Sequence, residues 1–409
     1  MYKQKPPVEM DRKNKLTIAL LSTAHCVLDS YSSFLFQLLP LMATKLRLTP
    51  AQAGLVPPML TIASSLMQPV YGVISDRYLK RSMVVFGPLI AAIFLSCLGT
   101  AQSLPGLMTL VILGGVGVGM FHPQGAALVS RAASSDGLGR RQGMMMSVFS
   151  SSGTVGYALG PLLVAMTVNR FGLDNSWYTA VWGVAFWVIL FRYCPPLEQR
   201  GGVEGAPALT DALRAAWVPL TLLYFAVVLR SAVAVSVQTY WPFALKSFGM
   251  TEMEYGSVLA GFLFFGGVGG FFGGFLADRL GARRVSMVAM LIATPLLLGA
   301  FSTRGTLSNF FLMAGGTLLN LPIPISVVMA QRLVPGGAST VSALMMGFAW
   351  GAGALMTPIV GAMSEKFSFT RALMIAAVVP LVSAALMWLY PKDERAAVVR
   401  AQEALAVAD

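Results

Sequence analysis

Gly72-Val-Ile-Ser-Asp76-Arg77 recurs half a chain length downstream as Gly274-Phe-Leu-Ala-Asp278-Arg279. Each copy closes an apolar run and opens a short basic segment, Lys80-Arg81 after the first and Arg283-Arg284 after the second. Pro40 and Pro242 stand at the same offset, which marks a duplicated unit. In each copy the glycine (Gly72, Gly274) is read as a point where a neighbouring helix approaches closely. The aspartate (Asp76, Asp278) accepts hydrogen bonds from the next helix's N-terminus, and the arginine (Arg77, Arg279) bridges to a facing carboxylate. Such a clamp gates one end of the molecule.

The composition says what kind of unit is duplicated. Of 409 residues, 56% are hydrophobic and 11% charged, whereas soluble domains carry about 25% charged residues. Mean hydropathy is +0.71. With ~20 apolar residues per crossing and roughly a dozen for each turn, the chain accommodates about twelve helices and no nucleotide-hydrolysing domain. Apolar runs bounded by charges, Pro and Gly predict helices one to twelve over 16–42, 51–75, 82–101, 105–130, 142–168, 175–194, 216–244, 254–277, 284–302, 306–331, 338–363 and 369–390. The longest polar stretch, Pro195 to about Ala215, separates two sets of six. The expected fold is therefore all-α: a 12-helix polytopic membrane protein of two pseudo-symmetric six-helix bundles, residues 1–194 and 216–409, joined by a cytoplasmic linker at 195–215. Parallel repeats of this kind place a substrate site at mid-membrane between the halves.

A net charge of +12 and a pI near 9.8 would suggest nucleic acid for a soluble protein, but here they follow from topology. With the N-terminus inside, the inner segments hold 21 of the basic residues and the outer loops 7, the bias expected of cytoplasmic loops. No nucleic-acid partner is expected, and both termini are assigned to the cytoplasm. The N-terminus from Met1 to Lys15 is polar and basic and precedes a long apolar run with no small-residue cleavage site, so the first helix is read as retained. Cys26, Cys97 and Cys194 are scattered inside apolar runs and indicate neither disulfide nor zinc. The glycine clusters 114–119 and 266–270 follow no strand and lead to no Lys-Ser or Lys-Thr, which excludes a phosphate-binding loop. No nucleophile, metal-ligand or cofactor pattern appears, so the chain is not expected to be an enzyme or to need a cofactor. The energy source is then an ion gradient or the substrate's own.

Ionisable residues inside apolar helices are costly and mark function. There are four: His25, Asp29, His122 and Arg230. His25 and Asp29 are four apart on helix one, hence on one face. Asp29 is the only acidic residue in a predicted helix interior and is the expected proton carrier, with His25 tuning or sharing the proton. Arg230 stays protonated and demands a carboxylate, an oxyanion or several carbonyls. It stands from Asp29 at almost the offset that separates the two repeats, so a contact between them across the central cavity is expected, which an anionic substrate and a proton would each break. His122 precedes Pro123 in helix four and is expected to face the cavity, because proline frees backbone groups there. Tyr31, Gln37, Tyr157, Gln238, Asn320 and Trp350 complete the expected substrate-binding set; Tyr240 and Trp241, near a helix end, are candidate interfacial anchors. Asn320-Leu-Pro322-Ile-Pro324 predicts a break or bend in helix ten.

The paired Gly-x-x-x-Asp-Arg loops resemble the signature of the major facilitator superfamily, over nearly the whole chain. The resemblance implies a 12-helix secondary transporter working by alternating access. Gly153-Thr-Val-Gly156-Tyr-Ala-Leu-Gly160-Pro161 looks like the fifth-helix motif of its proton-coupled antiporters, although Leu162 to Ala165 stand where paired glycines follow the proline in the family. His25-x-x-x-Asp29, Gln68-Pro69, Phe121-His122-Pro123 and the basic Arg230 together resemble the fosmidomycin-resistance branch; Arg230 replaces a lysine, and the helix-four arginine of other drug antiporters is missing. What this implies is a monomeric exporter in a bacterial inner membrane, moving a small anionic or zwitterionic compound such as fosmidomycin in exchange for protons. Proton-coupled uptake of a small carboxylate or sugar-like nutrient is the alternative. A receptor or scaffold would need segments outside the membrane longer than the stretch from Pro195 to about Ala215.

Overall fold

The computed structural model describes residues 11–68, 70–71, 80–134, 142–195, 213–334, 341–342 and 344–392. Gly72, Asp76 and Arg77 of the first loop copy, and most of the 195–215 segment, lie outside the described residues. Among the described residues there is no strand, and ten helices are long and apolar enough to cross a membrane. These correspond to predicted helices one, three to five and seven to twelve: Arg12–Leu46, Arg81–Thr100, Leu104–Val129, Val148–Phe171, Trp217–Ser247, Glu252–Leu280, Ala282–Ser302, Gly305–Leu333, Leu344–Lys366 and Phe369–Leu389. Large apolar side chains such as Trp182, Phe271 and Trp388 point outward and are exposed, as lipid-facing positions of a multi-pass membrane protein are.

Predicted helices two and six are built differently. Helix two is segmented into Pro50–Gly54, Val56–Thr61 and a π-helical turn, Ile62–Leu66; Pro50 opens it at a position where no donor is needed, and Pro57 and Pro58 remove the donors at the first junction. Helix six consists of a 3-10 stretch, Leu173–Thr179, followed by the α-helix Ala180–Tyr193. At the break or bend predicted in helix ten, Gly305–Asn320 gives way at Leu321 to Pro322–Leu333: Pro322 and Pro324 lack donors and interrupt the hydrogen-bond ladder, while Leu321 keeps helical dihedrals (φ −54°, ψ −37°). Helix four, in contrast, runs unbroken from Leu104 to Ser134 through Pro123. Capping boxes start helix two (Thr49 with Gln52) and helix eight (Thr251 with Glu254), each satisfying orphan amides at a helix N-terminus. Gly281, at φ 90°, ends helix eight in a conformation that a side chain would strain.

Helix five packs on helix one through glycines three and four residues apart, on one face. A Cβ at Gly156 would overlap the Cys26 carbonyl, and one at Gly160 would overlap Ser33 Oγ and the Ser30 carbonyl. At Gly153 it would stand 2.5 Å from His25 Nε2 and 2.7 Å from Asp29 Oδ2. The fifth-helix glycines thus set how close helix one comes, and Gly153 leaves the space that its polar residues occupy.

The duplicated basic segments have a shared structural task. Arg81, opening helix three, donates to the carbonyls of Phe191 (2.7 Å) and Cys194 (3.3 Å) at the end of helix six. Arg283, its counterpart in the second repeat, donates to Met387 (3.0 Å) and Trp388 at the end of helix twelve. A cation on unpaired C-terminal carbonyls satisfies them and complements the helix dipole. At the second loop copy, the close approach expected of Gly274 falls on its neighbours: a Cβ at Gly273 would overlap the Leu321 carbonyl and one at Gly269 the Thr317 carbonyl, whereas one at Gly274 meets nothing within 4 Å. A helical glycine presents one direction only, and the face turned to helix ten is that of Gly269 and Gly273.

Buried side chains form one cluster within residues 18–194 and another within residues 216–390 that also takes in Phe36 and Ala158. Polar contacts between these two parts of the chain gather at the end distal to the N-terminus. Tyr240 Oη meets the carbonyls of Pro50 (3.0 Å) and Thr357 (2.9 Å). Lys246 Nζ donates to Thr44 Oγ1 (2.9 Å), Thr357 Oγ1 to the Gly54 carbonyl (2.8 Å), and the Ala51 amide to Glu365 Oε1 (3.0 Å). Tyr240, fully buried here, is a joint between the two parts and not an interfacial anchor.

Two stability measurements follow from this packing. Gly156→Ala forces helix one away from helix five and is expected to cost roughly 1–3 kcal/mol, the usual penalty of overpacking, read as a lower midpoint of thermal unfolding in detergent. Arg81→Ala and Arg283→Ala are each expected to cost about 1–2 kcal/mol by releasing a helix C-terminus, and to add when combined, since they serve different helices.

Candidate functional site

Asp29 sits at mid-length in helix one, with one histidine on each of its carboxylate oxygens. His25 Nε2 is 3.2 Å from Oδ2 and His122 Nε2 is 3.2 Å from Oδ1. His25 is one helical turn before Asp29, whereas His122 comes from helix four. The far side of each ring is also held: His25 Nδ1 lies 2.8 Å from the Phe149 carbonyl and His122 Nδ1 2.9 Å from the Val118 carbonyl. A carbonyl oxygen only accepts, so both Nδ1 atoms carry the hydrogen and both Nε2 atoms face Asp29. His25 stacks on Phe149 at 4.3 Å and meets His122 edge-on at 4.9 Å. The Asp29 side chain is 16% exposed. The donor atoms of the three residues lie within 4.8 Å of one another, a spacing that shared protons or a metal ion can both satisfy.

Arg230, in helix seven, is 3% exposed. Its Nη1 donates to Asn320 Oδ1 (3.2 Å) and its Nη2 to Ser231 Oγ (2.9 Å), while the guanidinium lies 5.2 Å from the Trp350 ring centroid. Asn320 is oriented for this by its own amide, which donates to the Gly316 carbonyl at 2.9 Å next to the break in helix ten. No carboxylate reaches Arg230 among the described residues, and its buried Nε has no partner. A small cavity beside it is lined in part by Ser286, Ser326 and Ser383. The expected contact between Asp29 and Arg230 is absent: Asp29 is taken by two imidazoles, and Arg230 by an amide, a hydroxyl and an indole. The two charges stand at nearly equivalent repeat positions, but each is solvated within its own part of the chain.

The Tyr157 hydroxyl donates to Gln238 Oε1 at 3.1 Å and so joins helices five and seven. Two other expected substrate-binding residues are engaged in packing. Tyr31 Oη donates to the Thr179 carbonyl (2.6 Å) and accepts from the Gly183 amide (2.8 Å), tying helix one to helix six. Gln37 Nε2 donates to the Glu252 carbonyl at 2.7 Å, where helix eight begins. Asp278 and Arg279 are exposed at the end of helix eight; Arg279 covers the Phe275 ring at 4.2 Å, and neither pairs with a charged group among the described residues. The site also depends on Ser231 and on the Phe149 and Val118 carbonyls. Backbone carbonyls leave no mark in a sequence, whereas Gly153 is visible there as one of the fifth-helix glycines.

Comparison with known proteins agrees with this architecture. The model of the Major Facilitator Superfamily matches residues 21–243 and 220–407. The chain is 27% identical over 387 residues to the uncharacterized MFS-type transporter YfnC of Bacillus subtilis, covering 92% of this chain and 93% of that one. It is 27% identical over 389 residues to the fosmidomycin resistance protein of Escherichia coli, with 92% and 93% covered. A crystal structure of a mutant of the nucleoside transporter NupG superposes with a TM-score of 0.77 at 16% identity, covering 93% of this chain and all of that one. With the family model spanning both halves of a helical, multi-pass chain, the protein belongs to the Major Facilitator Superfamily and is a membrane transporter, not an enzyme.

Proposed function

We propose that the protein exports a small anionic or zwitterionic compound, with a fosmidomycin-like phosphonate as the most specific candidate, in exchange for protons. The observation that carries this reading is the separation of two buried charges. Arg230 keeps an unpartnered N–H and has no counter-ion among the described residues, so an oxyanion can take its fork of donors bidentately. Asp29, bracketed by imidazoles, has the residue types that accept and release protons. The similarity to the fosmidomycin resistance protein supports the direction and the substrate class.

In this reading Asp29 and His25 carry the proton in the N-terminal half, residues 1–194. Arg230, Asn320 and Trp350 hold the anion in the C-terminal half, residues 216–409. The two halves rock about the 195–215 linker, and the Tyr157–Gln238 hydrogen bond is the point where one site senses the other. His122 is a further polar contact of the cavity, and Asp278 and Arg279, with their repeat counterparts, gate the cytoplasmic side. With the termini in the cytoplasm of a bacterium and the chain in its inner membrane as a monomer, the end closed by Tyr240, Lys246 and Thr357 is the outer one. Substrate then enters the Arg230 site from the cytoplasm, and protonation from outside resets the carrier.

The test is fosmidomycin efflux from expressing cells, with the proton gradient intact and then collapsed by an uncoupler. Expression is expected to lower intracellular drug, and the uncoupler to abolish the difference; drug levels unaffected by a correctly inserted protein move the uptake reading to the front. Asp29→Asn is expected to eliminate gradient-driven net flux while drug binding to purified protein persists. Arg230→Ala is expected to weaken binding of the anion by at least about tenfold, or ~1.4 kcal/mol, with Arg230→Lys recovering part of it because a lysine keeps the charge and loses the fork.

A further inference from the structure

The chain has two histidines in all, far apart in sequence, and the fold brings both to one carboxylate. We propose that His122 is a proton-carrying residue of equal standing with His25, so that the Asp29 cluster takes up and releases two protons per transport cycle. This deepens the proton-exchange reading above and rests on it.

The argument counts hydrogens. Each Nδ1 donates to a backbone carbonyl, Phe149 for His25 and Val118 for His122, so neither ring can flip to present Nδ1 to Asp29 without breaking that bond. Each Nε2 then faces its own oxygen of Asp29 at 3.2 Å. A nitrogen lone pair set against a carboxylate oxygen at that distance is repulsive; a hydrogen between them makes an ordinary hydrogen bond. The arrangement has two such contacts, on two different oxygens, and each is completed by one hydrogen. The cluster is therefore shaped to hold two exchangeable protons, and losing both turns a net single positive charge into a net single negative one.

The protons have few other titratable neighbours, while His122 (26% exposed) and Asp29 (16%) leave them within reach of water. Among the described residues, the titratable side chains near the cluster are His25, Asp29 and Cys26 from helix one, His122 from helix four and Tyr157 from helix five, one turn beyond Gly153. Phe121 and Phe149 wall the His25 ring. Lys and Arg side chains are absent from this set, so charge balance there is a matter of protons. The His122–Asp29 contact joins helix four to helix one, so the second proton also fastens the two helices: loading closes the contact, and unloading turns it repulsive and favours its separation.

The experiment uses the full chain purified without a histidine tag and labelled with nitrogen-15 histidine, which yields two sites by NMR. Both Nδ1 atoms are expected to stay protonated across the titration while both Nε2 atoms change state, and Asp29→Asn is expected to shift both sites. A His122 signal unaffected by Asp29→Asn overturns the inference. In proteoliposomes the number of protons moved per drug molecule is expected to be two, falling to one in His122→Asn, with His122→Gln as the bulkier control for packing. A coupled wild type with a ratio of one overturns this inference and leaves the exchange reading standing. Flux indifferent to any proton gradient overturns both.

Discussion

A carboxylate inside a membrane protein loses the water that would solvate it, and the loss must be made good by hydrogen-bond donors in fixed positions. Asp29 meets that demand with two imidazoles, one on each oxygen, and a good part of the N-terminal half is arranged to keep them there. Helix five surrenders side chains at Gly153, Gly156 and Gly160 so that helix one can lie against its backbone. Phe149 serves twice, with its carbonyl on His25 Nδ1 and its ring stacked on the imidazole. Helix four is continuous through Pro123, and His122 reaches Asp29 of helix one from it.

The C-terminal half solves the opposite problem. A guanidinium cannot shed its charge, so burial of Arg230 requires neutral acceptors and a polarizable face. Asn320, Ser231 and Trp350 supply them, and the prolines that interrupt helix ten follow directly on the asparagine. The residual N–H has nothing to bind, and an unpaired donor on a buried cation is the feature that most directly asks for an anion.

Duplication and asymmetry coexist in a physically sensible way. Arg81 and Arg283 do the same structural work at the same repeat position, capping the last helix of each half. That work is needed in both halves because both end in a helix whose terminal carbonyls need donors. Asp29 and Arg230 occupy nearly equivalent positions but carry opposite charge, and each has collected its own neighbours from non-equivalent residues. Matching repeat positions thus report the scaffold, and mismatched ones report where the halves have taken different roles.

Much of the scaffold was legible in the chain itself. Hydropathy, the half-chain offset of the repeated loop and the prolines at 322 and 324 sufficed for the all-helical membrane fold, the repeat and the break in helix ten, because lipid forces backbone polar groups to be satisfied within each helix and leaves apolar length as a readable signal. The four ionisable residues inside apolar helices were legible for the same reason, their cost. The i, i+4 spacing alone placed His25 beside Asp29. What pairs with what across helices was another matter: that His122 shares Asp29, that Arg230 turns to Asn320 and Trp350 instead of Asp29, that Tyr31 and Gln37 fasten helices, and that Gly273 rather than Gly274 meets helix ten. Those contacts depend on helix rotation and on backbone carbonyls such as those of Phe149 and Val118, which every residue possesses and no sequence distinguishes, so only the tertiary structure could decide them.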